Sequence, residues 1–224
     1  ERDGLKRWLD RRYRLETLYL GRDHGARADA VLAANGCLAQ LSDRPIDSAV
    51  AKLAEGRVVA IFTAGMEYGP RALGARSILA AATDAGINQT LNDRLGRTEF
   101  MPFAPVVAED DADTLFELSA ATRYAARFMT VTCPVRPQWR PRIPAVVHVD
   151  GTARPQIIRR ALNPLYFDIL SGYKATTGVP ALINTSFNVH EEPIINTPEE
   201  CATALAEGRV DYAVTAKGLY GPRP

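Results

Sequence analysis

The segment "RVVAIFTAGMEYGPRALGARSILAAA", Arg57 to Ala82, decides the architecture. Its first part, "RVVAIFT" (57–63), is apolar without alternation, the pattern of a strand covered on both faces. "SILAAA" (77–82) reads as a second strand. Three glycines, Pro70, Arg71 and Arg76 lie on the connection between them. Gly69, Gly74 and the Pro70 turn allow backbone N–H groups to point inward. The two arginines add planar, forked donors that suit phosphate oxygens. The residues alone leave a second reading open: a surface loop with salt-bridged arginines.

Outward from this segment, helices and strands alternate. Residues 1–15 read as a basic amphipathic helix or extension, and 16–224 as the domain proper. Strands are expected at 17–21, 37–41, 57–63, 77–82, 103–108, 128–135, 180–186 and 210–215. "AVVHVDGTARPQIIR" (145–159) places Asp-Gly between two β-rich arms, a hairpin signal. Helices are expected at 26–36, 46–56, 84–95, 109–118, 163–178 and 197–208, the last with Thr197 as cap and Pro198 at its first position. The hexapeptide "LAEGRV" occurs at 53–58 and again at 205–210, a turn chemistry used twice. The pattern is that of an α/β (α+β) domain around one mixed sheet.

Composition narrows the function. The 224 residues carry a formal net charge of +1, so no global field draws the chain to nucleic acid or membrane, and any anion site is local. Aromatics make up 8% with no basic-aromatic stripe, which argues against a nucleic-acid binder. No run approaches the ~18 apolar residues of a membrane span, and the charged start lacks a signal-peptide core. A cytoplasmic location is the expectation. The lack of an initiator Met suggests a fragment or a processed chain. Cys37, Cys133 and Cys201 are far apart without zinc-type spacing and read as buried thiols in a reducing compartment.

Three further stretches carry more polar specificity than packing requires. "NDRLGRTEFMPFAP" (92–105) sets Arg94 and Arg97 before a strand, though a solvated helix end would look the same. In "HVDGTARP" (148–155), His148, Asp150, Thr152 and Arg154 alternate, so their side chains can share one face. A phosphate-facing histidine and a satisfied turn residue both fit His148. In "LINTSFNVHEEP" (182–193), an apolar strand ends in Asn184, Thr185, Ser186 and Asn188, where open α/β sheets favour ligands. A simple Asn/Ser turn fits those residues too. There is no P-loop, no dinucleotide glycine fingerprint and no G-x-S-x-G elbow. His24, His148 and His190 do not fall at metal-ligand spacing. A site that grips anions is favoured over a covalent enzyme.

Together these stretches resemble the C-terminal domain of the O-carbamoyltransferases of nodulation-factor and antibiotic biosynthesis. "MEYGPRALGARSIL", "FMPFAPVV", "IPAVVHVDGTARPQ", "NPLYFDIL" and "TGVPALINTSFNVHEEPI" occur in family order over roughly residues 57 to 200. The resemblance implies a YrdC-like mixed twisted sheet with flanking helices. It implies a domain that turns carbamoyl phosphate and ATP, with Mg2+ on the nucleotide, into carbamoyl adenylate and pyrophosphate. The transfer itself would belong to a sugar-kinase-like N-terminal domain with a histidine-rich metal site, whose motif this chain lacks. Carried over by position, Arg71, Arg76, Arg97, His148, Asp150, Arg154, Ser186 and Asn188 would meet ATP or carbamoyl phosphate, the last two as an S-x-N element. The sequence also departs from the family. The pattern K-x-R-E-x-x-R-P-F-A-P retains Arg97 but has Leu95 for the lysine, Thr98 for the glutamate and Met101 for the second arginine. "GNRS" has become "GARS" with Ala75, and "SFNVRGEP" has become "SFNVHEEP" with His190 and Glu191. Arg94 lies close enough in sequence to replace a lost cation. A degenerate nucleotide- or phosphate-binding module without turnover is the alternative expectation.

Overall fold

The computed structural model describes residues 15–36, 38–97 and 102–223. The expected helix at 1–15 lies almost wholly outside them, as do Cys37, Thr98 and Met101. Seven helices are described: α1 (Gly25–Ala34), α2 (Pro45–Ala54), α3 (Ile87–Arg94), α4 (Ala112–Leu115), α5 (Ala120–Ala126), α6 (Pro164–Thr177) and α7 (Pro198–Ala206). The main sheet joins β1 (Leu38–Ser42), β2 (Val59–Phe62), β3 (Arg76–Ala81), β4 (Ala104–Ala108), β7 (Gln156–Ile158), β8 (Leu182–Ser186), β9 (Tyr212–Val214) and β10 (Leu219–Pro222). Their order across it is β1-β10-β9-β2-β3-β8-β4-β7. β9 and β2, and β4 and β7, run parallel; the other neighbours are antiparallel. β5 (Cys133–Pro134) and β6 (Thr152–Ala153) form a separate small ladder.

The apolar runs occupy the middle of the sheet. Every residue of β2 and β4 is buried, and of β3 only Ala81 is partly open. α2 and α6 pack on each other, α2 also against β3 and α6 against β4, while α1 and α7 pair beside β1. α7 begins with a reciprocal cap: Thr197 accepts the Glu200 N–H, Glu200 reaches back to the Thr197 N–H, and Pro198 opens the helix. The twin hexapeptides build twin turns. Gly56 and Gly208 take φ values of 78° and 72°, and each turn leads into one of the parallel neighbours β2 and β9.

Several local expectations change. "HVDGTARPQIIR" is not a hairpin: β6 pairs with β5, and β7 joins β4 in parallel. The tight Asp-Gly turn survives, closed by His148 N–H on Thr152 O at 2.8 Å, but the first arm holds a 3-10 turn at Pro144–Val146 and the second divides into β6 and β7. Residues 17–21 form no strand, although Gly21 donates to the Met66 carbonyl at 2.9 Å. The strand expected at 128–135 shrinks to β5, and the 109–118 helix divides into a 3-10 turn and α4.

One edge of the sheet collects the chemistry. β8 runs antiparallel to both β3 and β4, so its carboxyl end meets their amino ends. Ser186 lies opposite Ser77, and Asn184 opposite Ala104. The 63–75 loop precedes β3 at this edge, and Arg154 precedes β7, the parallel neighbour of β4.

Candidate functional site

A cleft of about 160 Å³ opens at that edge, and its lining includes Arg71, Arg97, Arg154, Asn184, Ser186 and Asn188. Five of the eight residues expected at the site therefore converge. Arg71 is exposed and Arg154 half-buried. Among the described residues neither guanidinium has a hydrogen-bonded or carboxylate partner. Burial lowers the Arg154 pKa, and the Arg71 charge lowers it further. Arg97 is also lowered by burial. It donates to Thr185 Oγ1 at 2.9 Å and Ser186 Oγ at 3.4 Å, and lies 5.4 Å from the centre of the Phe103 ring. Arg97 and Arg154 are partly desolvated without a neutralising carboxylate among the described residues, a condition that an anionic ligand relieves.

Arg76, His148 and Asp150 are placed elsewhere. The Arg76 side chain is fully buried beneath the loop. It donates to Thr63 O at 2.8 Å, Ala75 O at 2.8 Å and Asn196 O at 3.2 Å, and stacks 3.8 Å over Phe62. Burial lowers its pKa, and nearby Glu67 opposes that shift. It is a post under the loop and faces no ligand. His148 and Asp150 build the turn before Arg154. Asp150 Oδ1 accepts the Thr152 N–H at 2.9 Å and its hydroxyl at 2.7 Å, which holds the carboxyl below its usual range. The His148 ring meets Thr152 Oγ1 at 3.0 Å. Neither residue lines the cleft. Their spacing does place chemistry there indirectly, by fixing the approach to Arg154.

Arg94 does not replace a missing cation, because it is tied to Asp211 at 2.9 Å outside the cleft. Leu95 does not occupy a cation position. Its side chain is fully buried in the core, while its carbonyl accepts the His190 N–H at 2.8 Å.

The arginine loop is tied at every backbone group from the Ala72 carbonyl to the Gly74 carbonyl. Glu67 Oε1, buried, accepts the N–H groups of Leu73, Gly74, Ala75 and Arg76 at 2.5 to 3.3 Å. Asn184 holds Ala72 O at 2.9 Å, Gln156 holds Leu73 O at 2.6 Å, and Asn163 holds Gly74 O at 3.1 Å. Gly74 takes φ 119°, and a Cβ there would lie 2.5 Å from the Tyr166 ring. Glu67 is visible in the sequence only as an acid within a glycine-rich loop. Gln156 and Asn163 fall inside the quoted motifs "IPAVVHVDGTARPQ" and "NPLYFDIL", but nothing in the sequence says that they reach this loop from distant segments.

Residues 50–220 match the family of carbamoyltransferase C-terminal domains. The chain belongs to that family. This carbamoyltransferase C-terminal domain is 37% identical over 218 residues to the nodulation protein NolO of Bradyrhizobium diazoefficiens, covering 95% of this chain and 40% of NolO. It is 39% identical over 160 residues to nodulation protein U of Rhizobium tropici, covering 71% and 27% of the two chains. The domain thus spans well under half the length of these curated relatives. Among solved structures it is similar to full-length HypF in a phosphate- and nucleotide-bound form, with TM-score 0.57, 19% identity and coverage of 78% of this chain and 25% of that one. It is also similar to P. abyssi Sua5 complexed with L-threonine, with TM-score 0.54, 13% identity and coverage of 77% and 47%. These likenesses bear out the YrdC-like mixed sheet with flanking helices. No helix among the described residues is long and apolar enough to cross a membrane.

Proposed function

We propose that this domain activates a carbamoyl group, forming carbamoyl adenylate from carbamoyl phosphate and ATP for transfer by a separate domain. The observation that carries the reading is the convergence of Arg71, Arg97 and Arg154, none paired with a carboxylate among the described residues, on one cleft in a chain of the carbamoyltransferase family. Positioned cations stabilise charge on phosphoryl oxygens as a phosphorus centre reacts. Arg97, braced by Thr185 and Ser186, would hold one phosphate group, and Arg71 with Arg154 another. Atom balance requires a water. It converts carbamoyl phosphate to carbamate and inorganic phosphate. The carbamate oxygen then bonds to the α-phosphorus of ATP as the bond to pyrophosphate breaks.

Mg2+ fits this cleft as a companion of the nucleotide. Glu191 is the one carboxylate on its described lining, and the described residues hold no cluster of three His, Cys, Asp or Glu side chains. Mg2+ commonly relies on substrate phosphates for much of its coordination. The relatives' greater length supports a partner domain in the same polypeptide or a separate one.

Pyrophosphate release from ATP that depends on carbamoyl phosphate, with inorganic phosphate in equal amount, tests the reading. Nucleotide binding without release would instead support a module without turnover, which the Met101 departure favours.

A further inference from the structure

Asn184 is a side chain whose hydrogen-bonding direction is fixed by its neighbours. Its Nδ2 donates to Ala72 O at 2.9 Å and to Gln156 Oε1 at 2.6 Å. Gln156 cannot be reversed in turn, because its own Nε2 donates to Leu73 O at 2.6 Å. Both amide hydrogens of Asn184 are therefore used on carbonyl oxygens. Among the described residues its Oδ1 is left as a buried acceptor without a partner, on a residue 1% exposed. An orphaned buried acceptor is costly, and a ligand N–H recovers that cost.

The residue's position says which ligand. Asn184 lines the same cleft as the three arginines. It is bonded to the residue after Arg71 and precedes Thr185, which receives Arg97. The cleft thus combines several cationic donors with fixed amide acceptors, of which Asn184 Oδ1 lies on the strand between the Arg71 loop and Thr185; Asn188 Oδ1, whose Nδ2 is used on Val189 O and Glu192 O, is a second. That set complements a phosphate anion carrying an N–H donor, and carbamoyl phosphate has this combination. Met129 lines the cleft with its sulfur 3.5 Å from Asn184 Nδ2, and its unbranched side chain can yield to admit the donor.

We propose that Asn184 Oδ1 accepts a hydrogen bond from the NH2 of a carbamoyl-bearing phosphate, making Asn184 the residue that distinguishes carbamoyl from acyl groups lacking N–H. The inference rests on the proposed function of the cleft, and its test separates the two. Calorimetry would compare carbamoyl phosphate with acetyl phosphate, in which a methyl replaces the amino group, on the parent and on Asn184→Ala. The parent should prefer carbamoyl phosphate about tenfold, the worth of one well-placed hydrogen bond. In Asn184→Ala the ratio should fall to about one, whatever the change in absolute affinity. A purely structural role for Asn184 would weaken both ligands alike and leave the ratio intact, which would overturn the proposal. Equal affinities on the parent would overturn it without any variant, while leaving the phosphate site standing. Binding of neither ligand would overturn the reading of the cleft and this inference with it. ATP against ITP, which lacks the adenine amino group, forms a second arm. A preference for ATP lost in Asn184→Ala, with the carbamoyl ratio unmoved, would assign the acceptor to the base and overturn the proposal.

Discussion

Glu67 Oε1 lies 2.5 Å from the backbone nitrogen of Leu73, and the same oxygen takes the next three amides in turn. One buried carboxylate therefore gathers the loop that carries Arg71. Hydrogen bonds to a charged partner are worth about 1.5–3 kcal/mol each when buried. Glu67→Gln keeps the shape and an oxygen for the four N–H groups, but it removes the charge and puts an NH2 at the buried Oε2 position, which has no partner among the described residues. The variant should lose roughly 2–3 kcal/mol of stability, read by chemical denaturation. It should also bind inorganic phosphate more weakly, since Arg71 loses its fixed base.

Arg71, Arg97 and Arg154 should separate from Arg76 in their phenotypes. Each of the three changed to Ala should weaken phosphate binding by about one to two decades with small effects on folding. Arg76→Ala should do the reverse. It strips donors from Thr63 O, Ala75 O and Asn196 O and leaves Glu67 without its nearby buried cation. Removing one partner of such a buried set costs about 3–5 kcal/mol. Thermal denaturation beside calorimetry distinguishes the two classes.

Glu191 occupies a position where the family pattern has glycine, and its φ of 65° lies in the left-handed region that glycine favours. It also places a carboxylate on the lining of an anion cleft. Glu191→Gly should relieve the strain, raising stability by up to about 1 kcal/mol after the unfolded-chain entropy is counted. Phosphate affinity should rise in the same variant, read by calorimetry.

Leu95→Lys, which the family pattern invites, should fail as a restoration. The side chain is fully buried among apolar residues. A lysine there should cost at least about 2 kcal/mol of stability with no gain in phosphate affinity. Guanidinium unfolding of the single variant checks this.

Much of the fold was legible because β2, β3 and β4 are dense apolar runs and Thr197 with Pro198 spells a helix start. The local signals that failed were those whose partners lie far away. The "HVDGT" turn is real and His148 N–H closes it on Thr152 O, yet no strand ladder extends from it: Thr152 and Ala153 take their strand partners from Pro134 and Cys133. α5 depends on a Ser119–Thr122 capping box that resembles ordinary loop polarity in sequence. At the site, Arg71, Arg97, Arg154, Ser186 and Asn188 were readable from residue type and motif. Arg76 misled because an arginine on a glycine-rich connection looks the same whether it points out to a ligand or back into the core. Only the packing of Phe62 and the carbonyls around it decide between these.

The most direct measurement of the central claim is pyrophosphate release from ATP by this domain, with and without carbamoyl phosphate, for the parent and Arg154→Ala. The account predicts release only when both substrates are present, matched one-for-one by inorganic phosphate and sharply reduced in the variant. Release independent of carbamoyl phosphate, or unchanged in Arg154→Ala, would contradict it.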